Sequence, residues 1–112
     1  MKKIELFIPD RRLDDVLEIL KDANVGGMST YRIEGRGKIK PEKIYVGRGT
    51  MTYKPKFIPR TKVEVIISND KLDMLITAFR NRLGDNIGGK LFVVEVEKAV
   101  DLSSGKMDEN AI

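Results

Sequence analysis

Backbone amides in a glycine turn beside a cation supply convergent donors without steric bulk, which is what phosphate binding asks for. This chain offers that pairing twice, as Gly35-Arg36-Gly37-Lys38 and as Gly88-Gly89-Lys90, and Arg60 stands as a third cation where the longest irregular stretch ends. Neither cluster has the spacing of the P-loop or dinucleotide fingerprints, so they point to an anion without naming it. Other chemistry is poorly supplied. With no cysteine and no histidine, thiolate metal sites, cysteine nucleophiles and the commonest general base are all excluded. Asp14, Asp15 and Asp73 sit among lysines and arginines at helical spacing and read as solvated helix face rather than catalytic carboxylates. No metal site and no enzymatic activity are expected.

Between the two glycine clusters, residues 35–60 show no regular period. They carry eight basic residues against one acid, a charge of +7 on a chain of net +4, so the remainder is mildly acidic. Irregular loops beyond ~12–15 residues are uncommon in compact domains and are usually functional or disordered. Ile39, Ile44, Tyr45, Met51, Tyr53, Phe57 and Ile58 are more apolar material than a linker needs, which favours a loop that orders against a partner. Lys40, Lys43, Tyr45, Arg48 and Tyr53 are its expected contact residues. A sequence pI near 9.4 fits an anionic partner.

Ile4, Leu6 and Ile8 alternate with Lys3, Glu5 and Phe7 as in a half-buried strand. Asp10 is placed to cap the helix that follows, whose apolar stripe is read as Leu13, Val16, Leu17 and Leu20. Asn24 and Gly26-Gly27 end it, and Met28–Glu34 reads as a second strand. After the loop the pattern returns: Lys3–Ile8 matches Lys62–Ile67, Arg12-Leu13-Asp14 matches Lys71-Leu72-Asp73, and Leu72, Leu75, Ile76 and Phe79 repeat the stripe. The order is strand, helix, strand, twice. Right-handed crossovers then give an α+β fold, a ferredoxin-like double βαβ with the long basic loop between its second and third strands. One domain is expected over 1–112, with the loop at about 36–60 and a polar C-terminal arm at about 101–112. Both helices cover one sheet face, leaving Phe7, Ile66 and Val93 on the other, so the sheet should bury that face by oligomerising. No apolar run approaches the ~18 residues of a membrane span, and the amino terminus lacks a signal-peptide core, so a cytoplasmic protein with no membrane insertion is expected. Nucleic acid is the rival partner for the loop. With Phe7 as the sole aromatic expected on the open face, base stacking is poorly served and no specific nucleic acid is expected.

Taken together these segments resemble the PII signal-transduction proteins, the trimeric nitrogen regulators. The resemblance rests on Met1-Lys2-Lys3-Ile4 with Leu13-Asp14-Asp15-Val16, on Gly27-Met28-Ser29, on Gly35-Arg36-Gly37-Lys38, on Ile58-Pro59-Arg60-Thr61-Lys62-Val63-Glu64, on Gly89-Lys90-Leu91-Phe92-Val93 and on Ala111-Ile112. It implies a homotrimer with an adenine nucleotide (ATP, ADP or AMP) between subunits. It also implies that the long loop touches a target, an enzyme or an ammonium transporter. Carried over by position, the nucleotide contacts are Phe7, Ser29, Gly35, Gly37, Lys38, Ile66, Gly88, Gly89 and Lys90, and Arg60 is the anion or effector contact. Three departures stand out. Ile39 replaces the glutamine with which the family holds magnesium and 2-oxoglutarate, and an aliphatic side chain cannot ligate a metal. Asp101 and Ser103 stand where the family places two phosphate-binding arginines. Tyr53 falls near the tyrosine that some members have modified, in different surroundings.

Overall fold

In the computed structural model, residues 1–37, 44–46, 51–53, 56–84 and 88–112 are described. Strand β1 (Lys2–Ile8) leads through a 3-10 turn, Asp10–Arg12, into helix α1 (Leu13–Asp22) and then strand β2 (Ser29–Gly35). Strand β5 (Ile58–Ile67), a second 3-10 turn at Asn69–Lys71, helix α2 (Leu72–Leu83) and strand β6 (Lys90–Glu95) repeat that order. Within the long loop, β3 (Ile44–Val46) and β4 (Met51–Tyr53) pair antiparallel as a separate two-stranded ribbon, an element that no alternation in the sequence announced. Among the described residues no helix is long and apolar enough to cross a membrane.

The main sheet runs β2-β5-β1-β6 with every neighbouring pair antiparallel, the ferredoxin-like α+β fold expected from the sequence. Each half contributes two strands, and a strand of the other half separates them. Ile4, Leu6 and Ile8 from β1 and Val63, Val65 and Ile67 from β5 meet Val16, Ile19 and Leu20 of α1 and Leu75, Phe79 and Leu83 of α2 in one buried cluster. Burying a side chain of this size is worth roughly 1.5–3 kcal/mol, so this layer dominates the stability of the protomer.

The repeat is a pseudo-twofold in space. Glu5 and Glu64 are equivalent in the two halves and stand directly opposite each other in the β1–β5 register, so the axis passes between them. The two 3-10 turns close alike, Arg12 N–H on the Pro9 carbonyl at 3.0 Å and Lys71 N–H on the Ser68 carbonyl at 3.2 Å. Their side chains then cross. The Arg12 guanidinium donates to the last carbonyls of α2, Leu83 at 2.8 Å and Arg82 at 3.3 Å, while Lys71 Nζ donates to the Asn24 carbonyl beyond α1 at 3.0 Å. Each half thus satisfies orphan carbonyls at the helix end of the other.

Three local expectations are corrected. Asp10 does not cap α1, because the intervening 3-10 turn takes the helix start away from it; its carboxylate accepts the Thr61 hydroxyl at 2.7 Å instead. The buried stripe of α1 uses Ile19, while Leu17 is exposed, so the helix is rotated relative to the predicted stripe. Val93 lies opposite Ile4 and therefore on the helix side of β6; Phe92 and Val94, opposite Glu5 and Lys3, hold the open face. At the end of α1 the sequence reading stands. Asn24 has φ 56°, Val25 N–H reaches the Leu20 carbonyl and Asn24 N–H the Lys21 carbonyl, a Schellman motif.

Thr61 is buried at 6% exposure, and its hydroxyl is spent on Asp10. Thr61→Val keeps the shape and removes the donor, so the protomer should lose about 1–2 kcal/mol in urea denaturation. An unchanged midpoint would show that the Asp10 carboxylate finds water just as readily.

The C-terminal arm is ordered. Val100 and Met107 form a β-bridge, and the Asp101 carboxylate accepts the backbone N–H groups of Ser103 and Ser104, each at 2.9 Å. These bonds, Ser104 foremost and then Ser103, hold the Asp101 carboxyl below the usual aspartate range. A folded-state pKa lowered in this way gives a turn that is stable above the unfolded value, about 3.9, and that loosens as pH falls through the lower folded one. The Ser103 and Ser104 amide shifts should therefore titrate with a midpoint under that value. A midpoint at or above it would show that the aspartate does not organise the turn.

Candidate functional site

Even-numbered residues of β5 and odd-numbered residues of β1 and β2 face away from the helices, and this open face has three zones. Its middle is charged. The opposed Glu5 and Glu64 would repel, but Lys62 Nζ lies 2.9 Å from Glu64 and 3.8 Å from Glu5, and Lys3 Nζ 3.1 Å from Glu5. The Tyr31 hydroxyl adds a hydrogen bond to Glu64 at 3.2 Å. The Lys62 ammonium pulls the Glu64 carboxyl below its ordinary pKa, and the same bond raises Lys62. Lys62 also stands 5.5 Å from the Tyr31 ring centroid and 5.8 Å from that of Phe7, within cation–π reach.

At one end of this face, where the long loop leaves β2 and enters β5, lies a cleft of about 460 Å³. Phe7, Ile33, Ile58 and Phe92 make its apolar surfaces; Gly35, Arg36 and Gly37 wall one side and Gly88, Gly89 and Lys90 the other. The Phe7 and Phe92 rings meet edge to face at 5.7 Å. Arg60 runs between the two glycine walls. Its Cγ lies 3.6 Å from where a Cβ on Gly35 would sit, and its Nη2 3.6 Å from the same point on Gly88. Gly88 also has φ +70°, a conformation that side chains resist, so its backbone calls for glycine. Among the described residues Arg36, Arg60 and Lys90 form no ion pair. The site therefore joins an apolar floor to cations and to glycine backbone.

Seven of the sequence-predicted contacts, Phe7, Gly35, Gly37, Arg60, Gly88, Gly89 and Lys90, come together in this cleft. Ser29 and Ile66 do not reach it in one protomer. They share its face but lie away from it along the strands, Ser29 level with the charged middle, opposite Glu64, and Ile66 beyond it, opposite Lys3. Lys38, Lys40, Lys43 and Arg48 lie outside the described residues, as do the side chains of Tyr45 and Tyr53. The sequence reading missed Ile33, Ile58 and Phe92, which the registers of β2 with β5 and of β1 with β6 would have supplied. It also undercounted aromatics: Tyr31, Phe7 and Phe92 all stand on the open face.

On the helix side of β6 a second concavity, about 650 Å³, runs between that strand and α2. Ile76, Phe79 and Leu83 line it from α2 and Leu91 and Val93 from β6, with Arg80 and Lys90 at its polar margin. Gly88, Gly89 and Lys90 belong to both cavities, so one turn is the wall between them.

The class these elements define is a ferredoxin-like α+β domain with a cationic, glycine-walled cleft at the root of a long loop. The sequence comparisons make that class specific. Residues 1–106 match the family model described as nitrogen regulatory protein P-II. Proteins named nitrogen regulatory protein P-II from Haemophilus influenzae and Pasteurella multocida are 36% and 35% identical over alignments of 118 residues that cover both partners in full. Nitrogen regulatory protein P-II 1 of Escherichia coli K12 is 32% identical with the same coverage. This chain belongs to the nitrogen regulatory protein P-II family, whose members are signal-transduction proteins.

Proposed function

We propose that this protein is a non-enzymatic PII-type regulator of nitrogen metabolism. It would bind an adenine nucleotide in a cleft completed by a neighbouring subunit of a homotrimer, and act on a target enzyme or ammonium transporter through residues 36–60. The observation that carries the reading is the Arg60 cleft, which pairs surfaces fit for a base with donors fit for phosphate. The division of the predicted contacts supports the subunit boundary. Ser29 and Ile66 lie on the same face as the cleft but away from it along the strands, so a head-to-tail ring that sets that part of one protomer against the next one's cleft would complete the set. The open face also bears apolar Phe92 and Val94, which a second copy would cover. A second copy fits this face better than nucleic acid does, because at its centre Lys3 and Lys62 are already paired with Glu5 and Glu64 and leave no net positive charge for phosphates. Lys40, Lys43, Tyr45, Arg48 and Tyr53 are the proposed target contacts on the loop.

Calorimetric titration with ATP, ADP, AMP and 2-oxoglutarate tests the reading, alongside a solution mass near three times 12.7 kDa. Flat traces for every adenine nucleotide would remove the sensor function. A stable monomer at micromolar concentration would remove the shared cleft.

A further inference from the structure

Helix α2 covers β1 better than it covers β6. Leu6 and Ile8 of β1 are buried in one cluster with Phe79 and Leu83, whereas on the same side of the sheet Leu91 is half-buried and Val93 is 40% exposed. The cause is topological. Two helices span four strands and β6 lies at the sheet edge, so its inner side has no helix of its own. What remains is the groove of about 650 Å³ between α2 and β6, a volume within the range of about 300–1,000 Å³ usual for small-molecule sites.

The chemistry of the groove is graded. Ile76, Leu91 and Val93 give it apolar walls, and Arg80 and Lys90 stand at its margin. Ile76, Arg80 and Leu83 fall at i, i+4 and i+7 of α2 and so share one helix face. From Ile76 to Leu83 the helix rises roughly 10 Å, and β6 runs about as far, roughly 10 Å, from Lys90 to Val93. Among the described residues no carboxylate lines the groove, and neither Arg80 nor Lys90 enters an ion pair. Two uncompensated cations beside an apolar trough select an anion with an apolar body. The ring proposed above closes over the open face, so a groove on the helix side stays within reach of solvent.

We infer that this groove is a second effector site, for a small amphipathic carboxylate whose apolar body matches the length of the trough. The body lies along Ile76, Leu91 and Val93, and the carboxylate accepts charge-assisted hydrogen bonds from Arg80 and Lys90. Lys90 also walls the nucleotide cleft. A carboxylate that draws its ammonium to the helix side takes a cation from the phosphate side, so the two ligands oppose each other, and by linkage each weakens the other by the same factor. That opposition rests on the nucleotide reading above; the groove itself does not.

Decanoate is the probe and decanol its uncharged counterpart, followed by displacement of anilinonaphthalene sulfonate fluorescence and by calorimetry on the full-length protein. The native chain should bind decanoate saturably and about tenfold or more tighter than decanol, and Arg80→Gln should erase that preference. Val93→Trp, at an exposed position, fills the trough and should abolish decanoate binding without moving the melting temperature. Met74→Trp, exposed on α2 outside the groove, should bind decanoate like the native protein. Equal affinity for decanol and decanoate overturns the anion recognition, and native-like decanoate binding by Val93→Trp overturns the location. If Val93→Trp folds poorly, Arg80→Gln at the exposed margin decides alone. Saturating decanoate should weaken ADP about fivefold or more; an unchanged ADP affinity overturns the opposition. Protein that takes decanoate but no adenine nucleotide overturns the nucleotide reading and keeps the groove, whereas protein that takes ADP but no decanoate overturns the groove and keeps the nucleotide reading.

Discussion

Arg60→Gln should weaken nucleotide binding by about ten- to a hundredfold while leaving the protomer's stability nearly unchanged. The side chain spans the cleft between Gly35 and Gly88, and among the described residues no acid competes for it. Its charge is thus available to a ligand. A charge-assisted hydrogen bond contributes about 1.5–3 kcal/mol, and each 1.4 kcal/mol is tenfold in affinity. Glutamine preserves a donor and most of the stem, so the loss reports charge rather than packing. Gly88→Ala approaches the same geometry from the other wall. Its φ of +70° penalises any side chain, so the turn that forms this wall should shift, weakening binding as well and costing some stability. Calorimetry on both variants, with thermal melts beside it, checks the pair. If Arg60→Gln binds every adenine nucleotide like the native protein, the phosphates lie elsewhere and the cleft has been misassigned.

The second large effect is a missing one: ATP should bind no more tightly than ADP. By resemblance to the family, Asp101 and Ser103 occupy the positions of two phosphate-binding arginines, and the structure shows both engaged in their own turn. The Asp101 carboxylate accepts the Ser103 and Ser104 amides. Neither offers the outer phosphates a cation. Two absent charge-assisted bonds at about 1.5–3 kcal/mol each would weaken ATP a hundredfold or more relative to a member that has both arginines. The proposed adenine and ribose contacts would be untouched by the change. Ile39 adds that magnesium and 2-oxoglutarate should bring no cooperativity with ATP. The measurement is ATP against ADP and AMP, each with and without magnesium and 2-oxoglutarate. Tight ATP binding that strengthens further with 2-oxoglutarate would show these substitutions compensated elsewhere.

What could be read in advance followed from periodicity wherever only one phase fits. Ile4, Leu6 and Ile8 have charged or half-exposed neighbours at every other position, so β1 could face only one way, and the repeat in β5 inherited that certainty. In β6, Leu91, Phe92, Val93 and Val94 are all apolar; alternation then carries no phase, and pairing with β1 alone sends Val93 to the helices. The α1 stripe failed for a similar reason, since Leu17 and Ile19 satisfy two rotations of one helix and packing against α2 selects Ile19. Asp10 was misplaced because a 3-10 turn separates it from α1. The cleft was half legible. Its glycines and lysines advertise themselves locally, whereas Ile33, Ile58 and Phe92 enter only through strand register, and Ser29 and Ile66 cannot join it within a single copy.

The interleaved sheet also governs how the chain can be made. β1, synthesised first, sits in the middle of the sheet, and both of its neighbours, Ile58–Ile67 and Lys90–Glu95, leave the ribosome late. Neither half closes a sheet by itself, because each half's strands are kept apart by a strand of the other. Ile4, Leu6 and Ile8 must therefore wait, unpaired, until the cationic loop and all of β5 have been translated. Such non-local pairing is slow and exposes apolar strand edges meanwhile. A nascent chain stalled before Lys90 would hold β1 as an unprotected hydrophobic edge, which makes translation of this short final segment the step that commits the protomer to its fold.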